Sequence, residues 1–175
     1  MSDRNAQPAD RVGSFEDVAD APLHVALVEP EIPPNTGNVA RLCAATGCAL
    51  HLVEPLGFRI DDRDLKRAGL DYWHALGVVI HPSLDEFLAT TAERRRWFLS
   101  ARAKRPYTAA AFERGDIVIF GRETKGLPAD LIAASGERAL RIPMREGSVR
   151  SINLSTAAGI VVYAALAQLQ FPGLL

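Results

Sequence analysis

The 175-residue chain predicts an α/β fold: one domain with a mostly parallel sheet and helices on both faces. Three observations carry this expectation. Short apolar runs recur at Leu23–Val28, Ala49–Val53, Gly77–Ile80, Trp97–Leu99, Ile117–Phe120 and Ala139–Ile142. Stretches with helical spacing of apolar residues lie between them. The runs also lack polar alternation, as strands covered on both faces require.

Taken in order, residues 1–21 are polar with little periodicity and read as a flexible tail, so that the domain spans 22–175. After Leu23–Val28, Pro30, Pro33 and Pro34 forbid continuation of a strand, and Gly37 to Thr46 carries Val39, Leu42 and Cys43 at helical intervals. With Ala49–Val53 this makes β-α-β, the unit of a parallel sheet. Residues 60–75 mix charged and apolar positions and predict a short helix and loop. Ser83 caps a helix over Leu84–Thr91, and Pro128 opens a short helix at its favoured first position. Asn153, Ser155 and Thr156 stand at the mouth of a last apolar helical run, placed to cap it or to face a bound molecule.

Charges nearly cancel, at a net of -1, so the chain has no global positive field of the kind that marks a nucleic-acid binder. Basic clusters remain at Arg63, Lys66 and Arg67, at Arg94 to Arg96, at Arg102, Lys104 and Arg105, and at Arg141, Arg145 and Arg150. Each one alone reads as a solvated face. Together they can track a phosphate backbone, because screening over roughly 8 Å makes local charge count more than net charge. Tyr72, Trp73 and Tyr107 lie near two clusters and can stack bases, with core packing the alternative for Trp73.

Cys43 and Cys48 have no accompanying Cys/His pair, and His24, His51, His74 and His81 lack zinc-ligand spacing, so no metal is expected and the thiols read as reduced. The first residues lack the apolar core of a signal peptide, which gives a cytoplasmic expectation. No charge occurs from Ile152 onward, but Asn153, Ser155, Thr156, Gln168 and Gln170 interrupt that stretch and Pro172-Gly173 ends it. The expectation is no membrane span. A helix this apolar around its circumference is instead buried between the core and a second copy, giving a homodimer through the C-terminal helix.

Three strand-to-helix loops can carry chemistry. In Pro33-Pro-Asn-Thr-Gly-Asn-Val-Ala-Arg41, Asn35 or Thr36 can cap the helix, while Asn38 and Arg41 share one face near its positive end, an arrangement suited to a phosphate or ribose; a capped helix with a surface arginine is the alternative. Phe120-Gly-Arg-Glu-Thr-Lys-Gly-Leu-Pro128 is similar to a phosphate loop as far as Gly121 and Gly126. Leu127 and Pro128 stand where Lys and Ser/Thr are required, so a nucleotide triphosphatase is excluded, and no G-x-G-x-x-G supports a dinucleotide site. The third loop runs from Ile142 to Ser155. All three fall at the carboxyl ends of strands, where open α/β sheets bind ligands.

In this order the three segments resemble those of the SPOUT class of S-adenosylmethionine-dependent RNA methyltransferases, over nearly the whole chain from Leu23 to Leu175. Asn35-Thr-Gly-Asn-Val-Ala-Arg41 matches the first motif of that class. Gly121-Arg-Glu-Thr-Lys-Gly-Leu-Pro128 matches the second, and Ile142-Pro-Met with Ser151-Ile-Asn-Leu-Ser155 the third. Glu29-Pro-Glu-Ile-Pro-Pro-Asn-Thr-Gly-Asn38 and Arg67-Ala-Gly-Leu-Asp-Tyr72 point to its minimal, single-domain subgroup, the tRNA (cytidine/uridine-34) ribose 2′-O-methyltransferases.

The resemblance implies a C-terminal trefoil knot, an obligate dimer, and S-adenosylmethionine as cofactor with S-adenosylhomocysteine as product. It implies Ser100, Gly121, Glu123, Gly126, Leu127, Ile142, Met144 and Ser151 as cofactor-binding residues. It places Arg41 beside the attacking hydroxyl, with Asn35, Ser151 and Asn153 orienting it. Guanidinium stays protonated, which favours Arg41 as a phosphate anchor over a general base. The implied partner is the anticodon loop of tRNA, of leucine tRNAs in particular. Open alternatives are the same chemistry on another tRNA or ribosomal RNA position, and a non-catalytic nucleotide- or RNA-binding protein.

Overall fold

The computed structural model describes residues 13–59 and 76–174. The helix and loop expected over 60–75 lie outside the described residues, as do Arg63, Lys66, Arg67, Tyr72 and Trp73. Strands β1 (His24–Val28), β2 (Ala49–Val53), β3 (Val78–His81), β4 (Arg96–Leu99), β5 (Arg105–Pro106), β6 (Ile117–Phe120) and β7 (Ala139–Arg141) build one sheet. Its order is β3-β2-β1-β6-β4-β7-β5, and every pairing is parallel. Helices α1 (Pro33–Thr46), α2 (Leu84–Thr90), α3 (Ala129–Ser135) and α4 (Leu154–Gln168) connect or follow the strands.

Alternation along each strand divides the core into two layers. Val25 and Leu27 of β1 and Val118 and Phe120 of β6 pack with Val39 and Cys43 of α1 and Ala158, Val161 and Val162 of α4. The intervening Ala26, Val28, Ile117 and Ile119 pack on the opposite face with Phe87 of α2 and with Leu131 and Ile132 of α3. Helices therefore cover both faces, as the unbroken apolar runs require. Cys43 and Cys48 are buried free thiols, and burial pushes both up from the ordinary thiol value. Among the described residues no helix is long and apolar enough to cross a membrane.

Three histidines occupy that second face. The His24 Nδ1 to His51 Nε2 distance is 2.9 Å, and that from His51 Nδ1 to His81 Nε2 is 3.0 Å, so adjacent strands β1, β2 and β3 are linked by a buried imidazole ladder. Burial holds all three below the ordinary imidazole value; His24 falls to about 4, helped by the Arg94 guanidinium.

The structure moves several expected boundaries. The expected tail gives up residues 13–21. Phe15 stacks on His24 at 5.1 Å with the Arg94 guanidinium over its ring at 5.0 Å, and the Gly13 N–H donates to the Val78 carbonyl. A lone aromatic in a polar stretch gives no periodic signal, so this docking has no trace in the sequence pattern. Helix α1 begins at Pro33, four residues before Gly37, with Ile32 at the cap position; Asn35 and Thr36 lie inside the first turn and do not cap it. Two prolines there lack the N–H groups a cap would serve. Pro128 precedes α3 as its cap residue, at φ -51° and ψ 137°, and does not open the helix. Ser83 caps α2 as expected, accepting from the Glu86 N–H at 3.1 Å.

Candidate functional site

A cavity of about 850 Å³ opens at the carboxyl ends of β4, β6 and β7, neighbours in the sheet. Leu99 and Ser100 enter it from β4, Phe120 and the turn Gly121 to Gly126 from β6, and Ile142 and Met144 from β7. Ser151, Asn153, Leu154 and Ala157 enter from the start of α4, and Ile32 and Asn35 from the start of α1. The turn folds tightly back on itself. A Cβ on Gly121 would lie 2.2 Å from the Gly126 carbonyl carbon, so this position admits only glycine. Gly126 closes the turn with φ +68°, its N–H donating to the Arg122 carbonyl at 2.8 Å.

One hydrogen-bonded chain joins the three loops. The Glu123 carboxylate accepts from the Glu31 N–H at 2.8 Å, the Ile32 N–H at 3.2 Å and the Asn35 side-chain amide at 3.0 Å. Asn35 Oδ1 in turn accepts from the Asn153 amide at 2.9 Å. Asn153 Oδ1 caps α4, accepting from the Ser155 N–H at 2.9 Å and the Thr156 N–H at 3.3 Å. Glu123 thus takes the place of the missing cap on α1, with its negative charge at the positive end of the helix. The same two loops are clasped a second time. Thr124 donates through its N–H and hydroxyl to the Glu31 carboxylate, and Arg122 pairs with Glu29, which sits at φ +51°.

Of the residues expected at the site, Asn35, Ser100, Gly121, Glu123, Gly126, Ile142, Met144, Ser151 and Asn153 line this cavity. Two do not. Leu127 is buried at 4% exposure in the core beside α3, and borders a smaller neighbouring cavity. Arg41 is exposed, sharing an outward face of α1 with Asn38, six positions beyond the buried Asn35. Of Ser155 and Thr156, neither caps with its side chain; Asn153 does. The basic cluster Arg94 to Arg96 is spent on structure: Arg94 covers Phe15, Arg95 reaches Asp116 at 3.1 Å, and Arg96 donates to the Leu88 carbonyl at 2.7 Å. Tyr107 is half-buried against the core.

Sequence reasoning missed Glu31, and it missed Arg102, Lys125 and Arg150 as cavity-lining cations. The signal for Glu31 was present in Glu29-Pro-Glu31, two carboxylates beside prolines that cannot continue a strand. Chemically, the cavity combines apolar side chains and closely packed main chain with the cations Arg102, Arg122, Lys125 and Arg150; among the described residues Glu123 is its one carboxylate, and it already accepts three N–H groups. Among the described residues no group of His, Cys, Asp and Glu could hold a metal ion.

Comparison with known proteins gives a consistent result. Residues 22–163 match the model of the SpoU rRNA Methylase family. A tRNA (cytidine(34)-2'-O)-methyltransferase of Saccharophagus degradans is 48% identical over 152 residues, covering 86% of this chain and 98% of that protein. A solved structure described as giving structural insights into the 2-OH methylation of C/U34 on tRNA superposes with TM-score 0.79 at 45% identity, covering 85% of this chain and 96% of that one. The SpoU methyltransferase AviRb of Streptomyces viridochromogenes, solved with the cofactor AdoMet, shares the fold at TM-score 0.79 and 20% identity, covering 91% of this chain and 66% of that one.

Proposed function

The chain belongs to the SpoU rRNA Methylase family, and from that premise we propose that it methylates the ribose 2′-hydroxyl of the wobble nucleotide of tRNA, cytidine or a modified uridine at position 34. S-adenosylmethionine is the methyl donor, and when bound it supplies an electrophilic methyl carbon on a sulfonium whose charge is lost on transfer. The residues present suit it. Apolar side chains of Leu99, Ile142, Met144 and Leu154 with the packed main chain at Gly121 make a neutral inner wall, Glu123 is already engaged by N–H donors, and the lining cations Arg102, Lys125 and Arg150 are exposed to solvent. Such a lining does not over-stabilise a cation that must lose its charge.

In this reading Ser100, Gly121, Gly126, Ile142, Met144 and Ser151 hold the cofactor, with Leu127 buttressing the turn from behind. Asn35, Ser151 and Asn153 orient the incoming ribose, and Glu123 fixes Asn35. Orientation of this kind contributes up to about 7 to 11 kcal/mol of barrier lowering when ideal. Arg41, exposed and permanently charged, anchors a substrate phosphate and leaves proton abstraction to other groups. Replacement of Arg41 by Lys is expected to slow single-turnover transfer; a nearly unchanged rate removes Arg41 from the mechanism.

The finer parts of the proposal have their own supports. A homodimer through α4 is supported by the uncharged stripe Thr156, Ile160, Tyr163 and Ala167, with Tyr163 48% exposed. A trefoil knot fits the convergence of the loops after β4, β6 and β7. An anticodon loop as the substrate follows from the motif resemblance. Leucine tRNAs as targets, and a cytoplasmic site of action, follow from the motif resemblance and the nature of the substrate.

The observation that carries the reading is the meeting of three sequence-distant loops, around Asn35, Gly121 and Ser151, at one cavity. Ribose-methylation mapping of RNA from cells with and without the protein tests it, together with methyl transfer to purified tRNA. Loss of a mark at position 34 is the expected result. A mark lost elsewhere, or none, overturns the assignment.

A further inference from the structure

We propose that Arg102 and Lys125 form an anion subsite on the rim of the cavity, holding a backbone phosphate of the RNA strand next to the nucleotide that is methylated. The inference rests on the RNA methyltransferase reading above. A second cavity of about 490 Å³ lies across the turn, and five residues border both cavities: Arg102, Arg122, Thr124, Lys125 and Gly126. Three of the five are committed to the fold. Arg122 pairs with Glu29, the Thr124 hydroxyl donates to Glu31, and Gly126 closes the turn.

Arg102 and Lys125 differ from them. Both are exposed, and among the described residues neither has an ion-pair partner, whereas Arg95, Arg105 and Arg122 each do. The carboxylates of the two loops clasped beside this turn, Glu29, Glu31 and Glu123, are already engaged. Two unneutralised cations therefore share one rim in a chain whose net charge is -1. A guanidinium fork beside a mobile ammonium is a combination that fits a phosphate. A single strand carries one phosphate between successive nucleotides. With one nucleotide in the larger cavity and its neighbour over the smaller, the phosphate between them falls at this junction.

The same anion chemistry could come from the carboxylate of the cofactor, and the experiment separates the two. Binding of an anticodon stem-loop RNA is measured over a salt series for the wild type, for Arg102→Ala/Lys125→Ala, for Arg102→Lys/Lys125→Arg, and for Arg114→Ala, which removes a cation at the opposite, amino end of β6. Cofactor affinity is measured by calorimetry on each. Expected for the double alanine variant are RNA affinity roughly tenfold weaker and a salt slope shallower by about 0.7, with unchanged cofactor affinity. The charge-conserving double variant keeps the slope, and so does Arg114→Ala. Weakened cofactor binding with an unchanged slope assigns the pair to the cofactor carboxylate and overturns the proposal. An equal slope change in Arg114→Ala reduces it to nonspecific charge and also overturns it. Failure of the wild type to bind RNA at all would instead sink the functional reading on which it stands.

Discussion

The side-chain amide of Asn153 donates to Asn35 Oδ1 at 2.9 Å, joining the first turn of the last helix to the first turn of the first helix across 118 positions of sequence. Asn153 uses its oxygen to cap its own helix and its nitrogen to hold Asn35, so the two duties can be separated by mutation.

Asn153→Asp keeps the capping oxygen and loses the donor. Asn35 then cannot satisfy both neighbours, since one orientation sets its oxygen against the introduced carboxylate and the other sets it against Glu123. Stability is expected to fall by about 1 to 3 kcal/mol from the unmet contact at buried Asn35, while single-turnover methyl transfer by the folded protein falls on the order of tenfold to a hundredfold. Asn153→Ala is expected to lose the cap as well, about 1 kcal/mol in urea unfolding. Equal rates for Asn153→Asp and the wild type would show that the link to Asn35 is only structural.

Glu123→Gln replaces one accepting oxygen by a donor that confronts a backbone N–H, either at Glu31 or at Ile32. The expected cost is about 1 to 3 kcal/mol of stability, with cofactor affinity in calorimetry little changed. A large loss of affinity at unchanged stability would make Glu123 a direct ligand and not the brace of the α1 entry.

Two glycines of one turn should respond differently. Gly121→Ala drives a methyl group into the Gly126–Leu127 peptide and is expected to cost about 3 kcal/mol or more. Gly126 has open space around its Cβ direction and only a positive φ to maintain, so Gly126→Ala is expected to cost about 1 to 2 kcal/mol. Thermal or urea unfolding of the pair checks the order.

The histidine ladder gives stability a pH dependence of definite sign. Unfolded imidazoles titrate near 6.5, whereas folded His24 titrates at about 4 and His51 and His81 are also lowered. Between these values the unfolded state binds more protons, so stability is complete above about pH 6.5 to 7 and falls on acidification, by up to about 1.4 kcal/mol per pH unit for each histidine. The contribution of His24 levels off below about pH 4. Urea unfolding at pH 7.5, 6 and 5 measures the slope, and His51→Leu should flatten it; a flat wild-type profile contradicts the ladder.

Much of this architecture was legible in the chain because local rules and tertiary needs agree. Ile117–Phe120 is four apolar residues with no polar alternation, and it is a central strand buried on both faces. Asn153 before an apolar run announced its own cap. Other features carry no local signature. β5 is only Arg105–Pro106, at the sheet edge, too short for any period and with a proline that can make no ladder N–H bond. The start of α1 was displaced because its cap is supplied by Glu123, 91 positions away from Ile32, and no rule based on neighbouring residues can find such a partner. For the same reason the site residues were identifiable one by one, while the chain of bonds from Glu123 through Asn35 to Asn153 was not.

That remote cap has a practical meaning for anyone who wishes to re-engineer this scaffold. Residues 29–35 and 121–127 exchange three sets of polar contacts, each loop answering demands that the other creates. Grafting either one alone would leave open amide donors at the root of a helix and a stranded carboxylate opposite them. The two loops behave as a single inheritable cassette, and recombination between related enzymes should tolerate breakpoints outside the pair far better than between its halves.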